Sequence, residues 1–304
     1  AITAAAWDVS IADEPAARGT HLPRWARWLS RSALWLLGLI ATGVITVVVL
    51  VGIALSVAYP NLPEIGGLMD YRPKLPMRVF SSDGVLLGEY GEERRNFVPL
   101  AQIPKVMQHA VLASEDARFY EHSGVDIKGV IRAGLAQFNR SRSQGASTIT
   151  MQVARNFYLS TEKTYTRKIY EMLLAFKMES LLTKDQILEV YMNQIYLGQR
   201  AYGFASASDI YFGKPLKDLS IAEAAMLAGL PQAPSAYNPI NNPDRAKNGQ
   251  LRILDRMVDN GYITAEQRDA ARTEPLRYRE PSEVAVHAEY VAEAARQLIF
   301  SQYG

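Results

Sequence analysis

A long run of uncharged residues near the N-terminus constrains the possible fold of this chain more than any other feature. Residues 32–63 carry no charged side chain, and Ala33 to Ala58 is nearly continuous Leu, Ile, Val, Ala and Gly. A helix rises about 1.5 Å per residue, so this run is long enough to cross a hydrocarbon core about 30 Å thick. The sequence therefore predicts one membrane-spanning helix, with the rest of the chain folding outside the bilayer.

The residues around the run predict its orientation. Four arginines precede it and three tryptophans stand near its start: Arg18, Arg24, Arg27, Arg31, Trp25, Trp28 and Trp35. Positive flanks stay in the cytoplasm and tryptophans favour the membrane interface, so the N-terminus is predicted to be cytoplasmic. One alternative is a signal peptide cleaved near Ala58, for which the run is too long. The other is a buried core helix, which the arginine-rich border disfavours.

The remainder of the chain is predicted to be mainly helical. A linker rich in Pro and Gly, Pro60–Pro76, comes first. The alternation of Met77–Tyr90 around Asp83-Gly84 then predicts a short β-hairpin. From Pro99 onward apolar residues recur at helical spacing. Capping boxes begin three of the predicted helices, at Thr183, Ser220 and Thr264.

The stretch Glu115–Asp126 holds the densest set of reactive side chains, with four carboxylates, a histidine, an arginine and two aromatic rings. It falls between two apolar-periodic segments. We therefore expect it at the end of one helix and in the turn before the next, with Asp126 as an N-cap. A carboxylate beside another and backed by aromatic rings tends to have a raised pKa, which suits a general acid or base. The alternative is a solvated acidic loop.

A basic segment follows the acidic stretch. Between residues 139 and 168 one acid, Glu162, stands against six cations: Arg140, Arg142, Arg155, Lys163, Arg167 and Lys168. This excess predicts an anionic partner, and outside a membrane a lipid phosphate or pyrophosphate fits better than nucleic acid. Arg167, Lys168 and Glu171 share one helix face. The hydroxyl-rich start of Gln144–Asn156 fits an anion-binding helix N-terminus. The alternatives are a surface ion-pair lattice and a well-capped helix.

Other chemistries find little support in the sequence. Cysteine is absent, which excludes disulfides, thiolate metal sites and cysteine nucleophiles. The four histidines are scattered, so their spacing predicts no metal site. One Ser-x-x-Lys, Ser160 to Lys163, lacks the companion motifs of an acyl-serine enzyme and is interpreted as chance.

Five motifs in this order resemble the peptidoglycan glycosyltransferase domain (family 51) of class A penicillin-binding proteins, most like the 1A type. They lie at residues 115–126, 145–150, 167–171, 187–193 and 211–214. Each is weak alone, but the ordered set is specific, and the resemblance runs from about residue 34 to 280. It implies a lysozyme-like α fold at the outer face of the bacterial cytoplasmic (inner) membrane. The implied reaction polymerises lipid II into β-1,4 glycan with inversion and releases undecaprenyl pyrophosphate.

The resemblance also implies roles for particular residues. Glu115 matches the general base that takes the proton of the acceptor 4-hydroxyl. Glu171 matches a catalytic position at the donor pyrophosphate, together with Arg167 and Lys168. Substrate-binding positions match at Asp116, Phe119, His122, Ser147, Thr148, Gln152, Arg155 and Asn193. Met151 replaces the usual Gln and puts one polar contact in doubt, whereas Arg155 keeps the charge of the usual Lys.

The resemblance fixes no cofactor but leaves open a divalent cation, Mg or Mn, near Glu171. The expected partners are lipid II, the growing glycan, the membrane, moenomycin as an inhibitor and other cell-wall synthesis proteins, without nucleic acid. The predicted segments are a cytoplasmic tail (1–32), a transmembrane helix (33–59), a linker with the hairpin (60–98), the glycosyltransferase domain (99–280) and the start of a connection to a further domain (281–304). No transpeptidase activity is expected, because the penicillin-sensitive serine motifs are absent from this sequence.

Two other functions account for parts of this pattern. A lysozyme or lytic transglycosylase also works with one catalytic Glu, but cleavage needs no pyrophosphate site. A non-catalytic, membrane-anchored cell-wall scaffold would not depend on Glu115. The basic segment and the ordered motifs favour the transferase.

Overall fold

The structure is a computed structural model that describes residues 24–68, 77–84, 86–90, 94–129, 147–159, 165–279 and 289–303. The chain divides into two compact units, residues 1–61 and 62–304. The predicted N-terminal tail lies mostly outside the described residues. So do several residues singled out in the sequence: Arg18, Arg140, Arg142, Ser160 and Lys163.

The first unit contains helix α1, Arg24–Ala58, which ends in the 3-10 turn Tyr59–Asn61. Within α1 the segment Ser32–Leu50 has a mean hydropathy of 2.5, and none of it is buried inside the chain. Leu39 is 69% exposed and Trp28 is 78% exposed. An apolar helix of this length with uncovered side chains fits a single membrane span. Among the described residues it is the one helix that meets these criteria.

The second unit is mainly α, as predicted. Its described helices are α2 (Lys105–Glu115), α3 (Ile149–Tyr158), α4 (Tyr165–Leu181), α5 (Lys184–Gln194), α6 (Phe204–Phe212), α7 (Ile221–Ala228), α8 (Pro243–Asp259), α9 (Ala265–Thr273) and α10 (Glu289–Tyr303). α3 packs against α4 and α5, whereas α2 packs against α7 and α8. Phe119, Tyr191, Phe204 and Tyr211 are its largest fully buried side chains.

The predicted hairpin is confirmed. Strands β1 (Met77–Phe80) and β2 (Leu86–Tyr90) pair antiparallel, with Met77 opposite Tyr90. Gly84 lies in the connecting turn with a φ of 83°, a left-handed conformation that glycine adopts without a steric penalty. A second pair was not predicted: β3 (Arg94–Arg95) runs parallel to β4 (Ala201–Tyr202). This pairing ties the chain before α2 to the chain before α6.

The predicted helix starts are confirmed by their hydrogen bonds. Full capping boxes, in which side chain and backbone bond reciprocally, begin α5, α7 and α9 at Thr183, Ser220 and Thr264. Asp126 acts as the predicted cap: its Oδ1 accepts from the Gly129 N–H at 2.9 Å. Its carboxylate also binds Arg118 Nη2 at 2.6 Å, which fixes the turn that follows α2.

The start of the Pro- and Gly-rich segment is packed into the second unit. Leu62, Ile65 and Leu68 are only 5%, 2% and 4% exposed. Lys177 Nζ of α4 donates to the carbonyl oxygens of Leu62 and Pro63, at 3.2 and 2.9 Å. The apolar residues at these positions outweigh the linker-like composition, so this part of the segment belongs to the folded body.

Candidate active site

The acidic stretch lies where α2 ends, and it crosses α4 closely. Gly124 has a φ of 85°, and a Cβ at this position would lie 3.0 Å from the carbonyl carbon and oxygen of Ala175. Only glycine meets both conditions without strain. The turn therefore holds α2, α4 and the start of α3 in a fixed relation.

Glu115 is the last residue of α2, and its carboxylate accepts hydrogen bonds from two side chains. Gln152 Nε2 of α3 donates to Glu115 Oε2 at 2.7 Å, and Ser114 Oγ donates to Oε1 at 3.3 Å. From α8, Arg256 Nη1 donates to the Ser114 carbonyl oxygen at 2.6 Å. These bonds hold the carboxylate between α3 and α8.

The environment of Glu115 raises the pKa of its carboxyl group. Burial is the largest cause, because a low-dielectric environment disfavours the charged form. The hydrogen bonds from Gln152 and Ser114 and the charge of Arg256 lower the pKa, while the charge of Asp116 raises it. The net shift is upward, as a general base working near neutral pH requires.

Asp116 follows Glu115 and bonds to His122 and to the start of α3. Asp116 is 7% exposed. Both carboxylate oxygens lie 3.0 Å from His122 Nε2, and Oδ2 accepts from the Ile149 N–H at 3.1 Å. Phe119 is fully buried and meets the His122 ring edge-on at 6.3 Å. Asp116, Phe119 and His122 therefore join the acidic turn to the first turn of α3.

The start of α3 positions two further predicted residues. Thr148 is the N-cap: its Oγ1 accepts from the Met151 N–H at 3.2 Å and donates to the Gly124 carbonyl oxygen at 2.5 Å. Met151 is 1% exposed and packs with Val125 and Ala175. Position 151 faces the core, so the methionine removes no polar group from the cleft. Gln152 and Arg155 instead face the cleft.

Glu171 lies in the middle of α4 and is only 1% exposed. Its Oε2 accepts from Lys168 Nζ at 2.8 Å, and its Oε1 forms an ion pair with Arg167 Nε at 3.2 Å. Lys168 Nζ also donates to Ser147 Oγ at 2.6 Å. The structure thus brings these four predicted residues together, and Ser147 links the group to the cleft.

A cleft of about 760 Å³ opens in front of Glu115. Of the predicted residues, Glu115, Ser147, Gln152 and Arg155 line it. The opposite wall comes from α8 and the loop before it, and the sequence analysis missed its polar residues: Gln232, Tyr237, Arg252 and Arg256. The arginines stand four apart, a visible pattern, but nothing local indicates that they face a glutamate more than a hundred residues earlier.

Tyr237 and Arg252 are hydrogen-bonded to each other on this wall. Arg252 Nη2 donates to Tyr237 Oη at 2.7 Å, and the guanidinium carbon lies 5.6 Å from the ring centroid. This hydrogen bond is the largest cause of a lowered pKa of Tyr237. Burial raises the pKa, whereas the charges of Arg252 and Arg245 lower it further. Together with Arg155 and Arg256, Arg252 gives the cleft three guanidinium groups beside one carboxylate.

Two polar residues of the fourth and fifth sequence motifs, Asn193 and Lys214, lie apart from this cleft. The Asn193 side chain is engaged by backbone: its Nδ2 donates to the carbonyl oxygens of Val98 and Glu189, both at 2.9 Å, and its Oδ1 accepts from the Val98 N–H at 2.8 Å. Lys214 forms an ion pair with Glu223 at 2.7 Å. Asn193 therefore fixes the chain before α2 onto α5.

The residues around Glu171 do not fit a divalent cation. Such ions need several oxygen ligands, whereas both oxygens of Glu171 already face Lys168 and Arg167. Within the described ranges, no group of three or more His, Cys, Asp or Glu side chains could hold a metal ion.

Comparison with known proteins identifies the family. A family model described as Transglycosylase matches residues 83–258, which include the acidic turn, α3, α4 and most of α8. The chain belongs to the transglycosylase family. It is 56% identical to penicillin-binding protein 1A of Neisseria flavescens over 257 residues, which are 84% of this chain and 32% of that protein.

Two further proteins are similar to parts of this chain. The chain is 51% identical to penicillin-binding protein 1A of Escherichia coli (strain K12) over 248 residues, 81% of this chain and 29% of that protein. A crystal structure of penicillin-binding protein 1A from Haemophilus influenzae covers 77% of this chain and 25% of its own, at 30% identity and a TM-score of 0.45. The chain spans about a third of the length of the curated relatives that it matches.

Proposed function

We propose that the second unit is a peptidoglycan glycosyltransferase that polymerises lipid II into β-1,4 glycan strands. The observation that carries the proposal is a carboxylate with a raised pKa, Glu115, in a cleft that also presents Arg155, Arg252 and Arg256. A sugar-cleaving enzyme needs the carboxylate but has no use for this many cations. Membership of the transglycosylase family supports the same reaction.

In this proposal Glu115 is the general base. Its carboxylate takes the proton from the acceptor 4-hydroxyl, and that oxygen attacks the anomeric carbon of the donor with inversion. Gln152 orients the carboxylate through its 2.7 Å hydrogen bond. Burial makes the carboxylate a stronger base, because the pKa of its conjugate acid is raised.

The cations act on the leaving group. As the bond to the donor breaks, negative charge grows on undecaprenyl pyrophosphate, and fixed guanidinium groups stabilise it in a partly dry cleft. In this proposal Arg155, which lines the cleft and belongs to the same helix as Gln152, takes this role. Lys168 and Arg167 extend the positive charge behind Ser147, and Glu171 holds both cations in place.

The first unit has a role in this proposal too. α1 would anchor the enzyme in the bacterial cytoplasmic membrane, where the lipid-linked substrate diffuses. The arginines before the apolar segment predict a cytoplasmic N-terminus and a second unit outside that membrane. Moenomycin as an inhibitor and other cell-wall synthesis proteins as partners follow from the family resemblance.

The decisive variant is Glu115→Gln, which keeps the shape and the Gln152 contact but removes the base. Polymerisation of lipid II, followed by gel separation of the glycan, should fall by about 10²- to 10⁴-fold. The variant should fold normally and gain stability over the parent as pH rises through the Glu115 pKa, because burial favours the neutral carboxyl.

The exposed Glu121→Gln is the matched control and should retain activity. Moenomycin should block the parent. Undiminished polymerisation by Glu115→Gln would show that Glu115 is not the base. Absence of polymerisation by the folded parent would favour the scaffold hypothesis. Shortening of finished glycan without polymerisation of lipid II would favour the lytic enzyme.

A further inference from the structure

A second pocket, of about 490 Å³, lies on the side of α6 and shares no lining residue with the cleft that holds Glu115. One face of α6 forms its floor. Residues between 96 and 102 form one wall, and the loop 213–217 forms the other. The volume falls within the range of small-molecule sites, about 300–1,000 Å³. We name it the α6 pocket.

The floor of the α6 pocket contains a polar group with no partner. Ser206 is 5% exposed, and its Oγ is buried without a hydrogen bond to any described residue. A buried hydroxyl left unpaired is costly, so native structures rarely keep one unless a ligand or water completes it. Ser208, two residues later, shows the ordinary case: its Oγ donates to the Lys214 carbonyl oxygen at 2.6 Å.

The same end of α6 presents further donors. Ala205 and Ser206 belong to the first turn of the helix, and both line the pocket. The N-cap is Gly203, which has no side chain to bond the first-turn N–H groups. Such a helix start carries a partial positive charge that favours anions. The amides of Asn96 and Gln102 add donors from the facing wall.

The residues that line the pocket include two cations and one anion, and one of the cations forms no ion pair with any described residue. Asp209 lines the pocket, but Arg279 Nη1 lies 3.2 Å from its Oδ1. Lys214 is matched by Glu223 at 2.7 Å. Lys217 is exposed at the rim. The remaining lining is largely apolar, including Val98, Ile210 and Leu216.

From these contacts we propose that the α6 pocket binds a small organic anion, with its carboxylate or phosphate between Ser206 Oγ and Lys217 and its apolar part against Val98 and Leu216. The ligand supplies a hydrogen-bond acceptor for Ser206 Oγ and a negative charge to pair with Lys217. This site is independent of the glycosyl transfer proposed for Glu115, because none of its residues takes part in that cleft.

Binding is measured by calorimetric titration of the full chain in detergent with three probes. N-acetylalanine carries a carboxylate on a small apolar body, N-acetylalaninamide is its neutral counterpart, and inorganic phosphate is an anion without an apolar body. We expect N-acetylalanine or phosphate to bind and the neutral amide to bind at least about tenfold more weakly. The relative strength of the two anions distinguishes a carboxylate site from a phosphate site.

Ser206→Ala and Lys217→Gln should each weaken anion binding by about tenfold. Lys128→Gln removes an exposed lysine outside the pocket and should leave binding unchanged. Without ligand, Ser206→Ala should not lower the unfolding temperature, whereas Ser208→Ala should, because only Ser208 loses a hydrogen bond. Equal binding of the acid and its amide, binding of none of the probes, or unchanged affinity in Ser206→Ala would overturn the proposal.

Discussion

Arg256 lowers the pKa of Glu115 from the α8 wall of the cleft. Its guanidinium bonds to the Ser114 carbonyl oxygen, and its charge lowers a pKa that burial raises. Because the base must be ionised, the rate should fall as pH drops through the Glu115 pKa. Arg256→Gln removes the lowering charge, so the acid limb of the pH–rate profile should move to higher pH.

The measurement is the initial rate of lipid II polymerisation over a pH series, for the parent and Arg256→Gln. Arg268→Gln removes an arginine of α9 that pairs with Asp269 at 2.9 Å and should leave the acid limb in place. An acid limb that does not move in Arg256→Gln would show that a group other than Glu115 determines its position.

The position of Arg256 also shows what sequence alone misses, because its effect depends on a contact spanning 142 residues.

Glu171 illustrates a carboxylate whose surroundings decide its chemistry. Two cations face its two oxygens, which leaves no room for the several oxygen ligands that Mg²⁺ or Mn²⁺ needs. We therefore expect that EDTA in excess, with purified protein and metal-free lipid II, changes the polymerisation rate by less than about twofold. A rate that falls at least tenfold and returns on adding Mg²⁺ or Mn²⁺ would contradict this prediction.

Among the helices, α3 matters most for the site, because it carries both Gln152 and Arg155. Its N-cap, Thr148, bonds the Met151 N–H and also the Gly124 carbonyl oxygen of the acidic turn. Thr148→Ala should cost about 1–3 kcal/mol, since it loses a cap and leaves a buried carbonyl oxygen unpaired. It should also lower the polymerisation rate, because the turn then no longer fixes α3.

Thr264→Ala is the matched control. Thr264 caps α9 through the same kind of bond, but its cap lies at the surface and away from the cleft. It should cost about 0.5–1 kcal/mol and leave the rate unchanged. Denaturant unfolding gives both free energies. Equal losses of stability and activity in the two variants would mean that the Gly124 bond contributes nothing.

The helices also show where prediction from sequence succeeds. The caps at Thr183, Ser220 and Thr264 depend on residues three apart, so the sequence contains all the information needed. The shared face of Arg167, Lys168 and Glu171 depends on helical spacing alone. The cleft wall from α8 and the parallel pairing of β3 with β4 depend instead on tertiary packing, which no local pattern contains. The acidic turn combines both kinds of information. Its composition predicts a site, but its contacts with α3 and α4 depend on tertiary packing.

The boundary between the two units follows from packing and not from composition. The segment after α1 is rich in Pro and Gly, yet Leu62, Ile65 and Leu68 are buried in the second unit, and Lys177 holds the carbonyl oxygens at 62 and 63. A chain begun at residue 62 keeps all these contacts. A chain begun at residue 77 loses three apolar side chains from the core.

We therefore expect the chain begun at residue 62 to unfold at the same temperature as the second unit of the full chain. The chain begun at residue 77 should be less stable by roughly 3 kcal/mol or more, because burial of each Leu or Ile is worth about 1.5–3 kcal/mol. Removing α1 should also abolish tight retention in lipid vesicles. Circular dichroism melts and vesicle flotation measure these effects. Equal stability of the two shortened chains would place the boundary after Leu68, whereas instability of both would show that α1 supports the second unit.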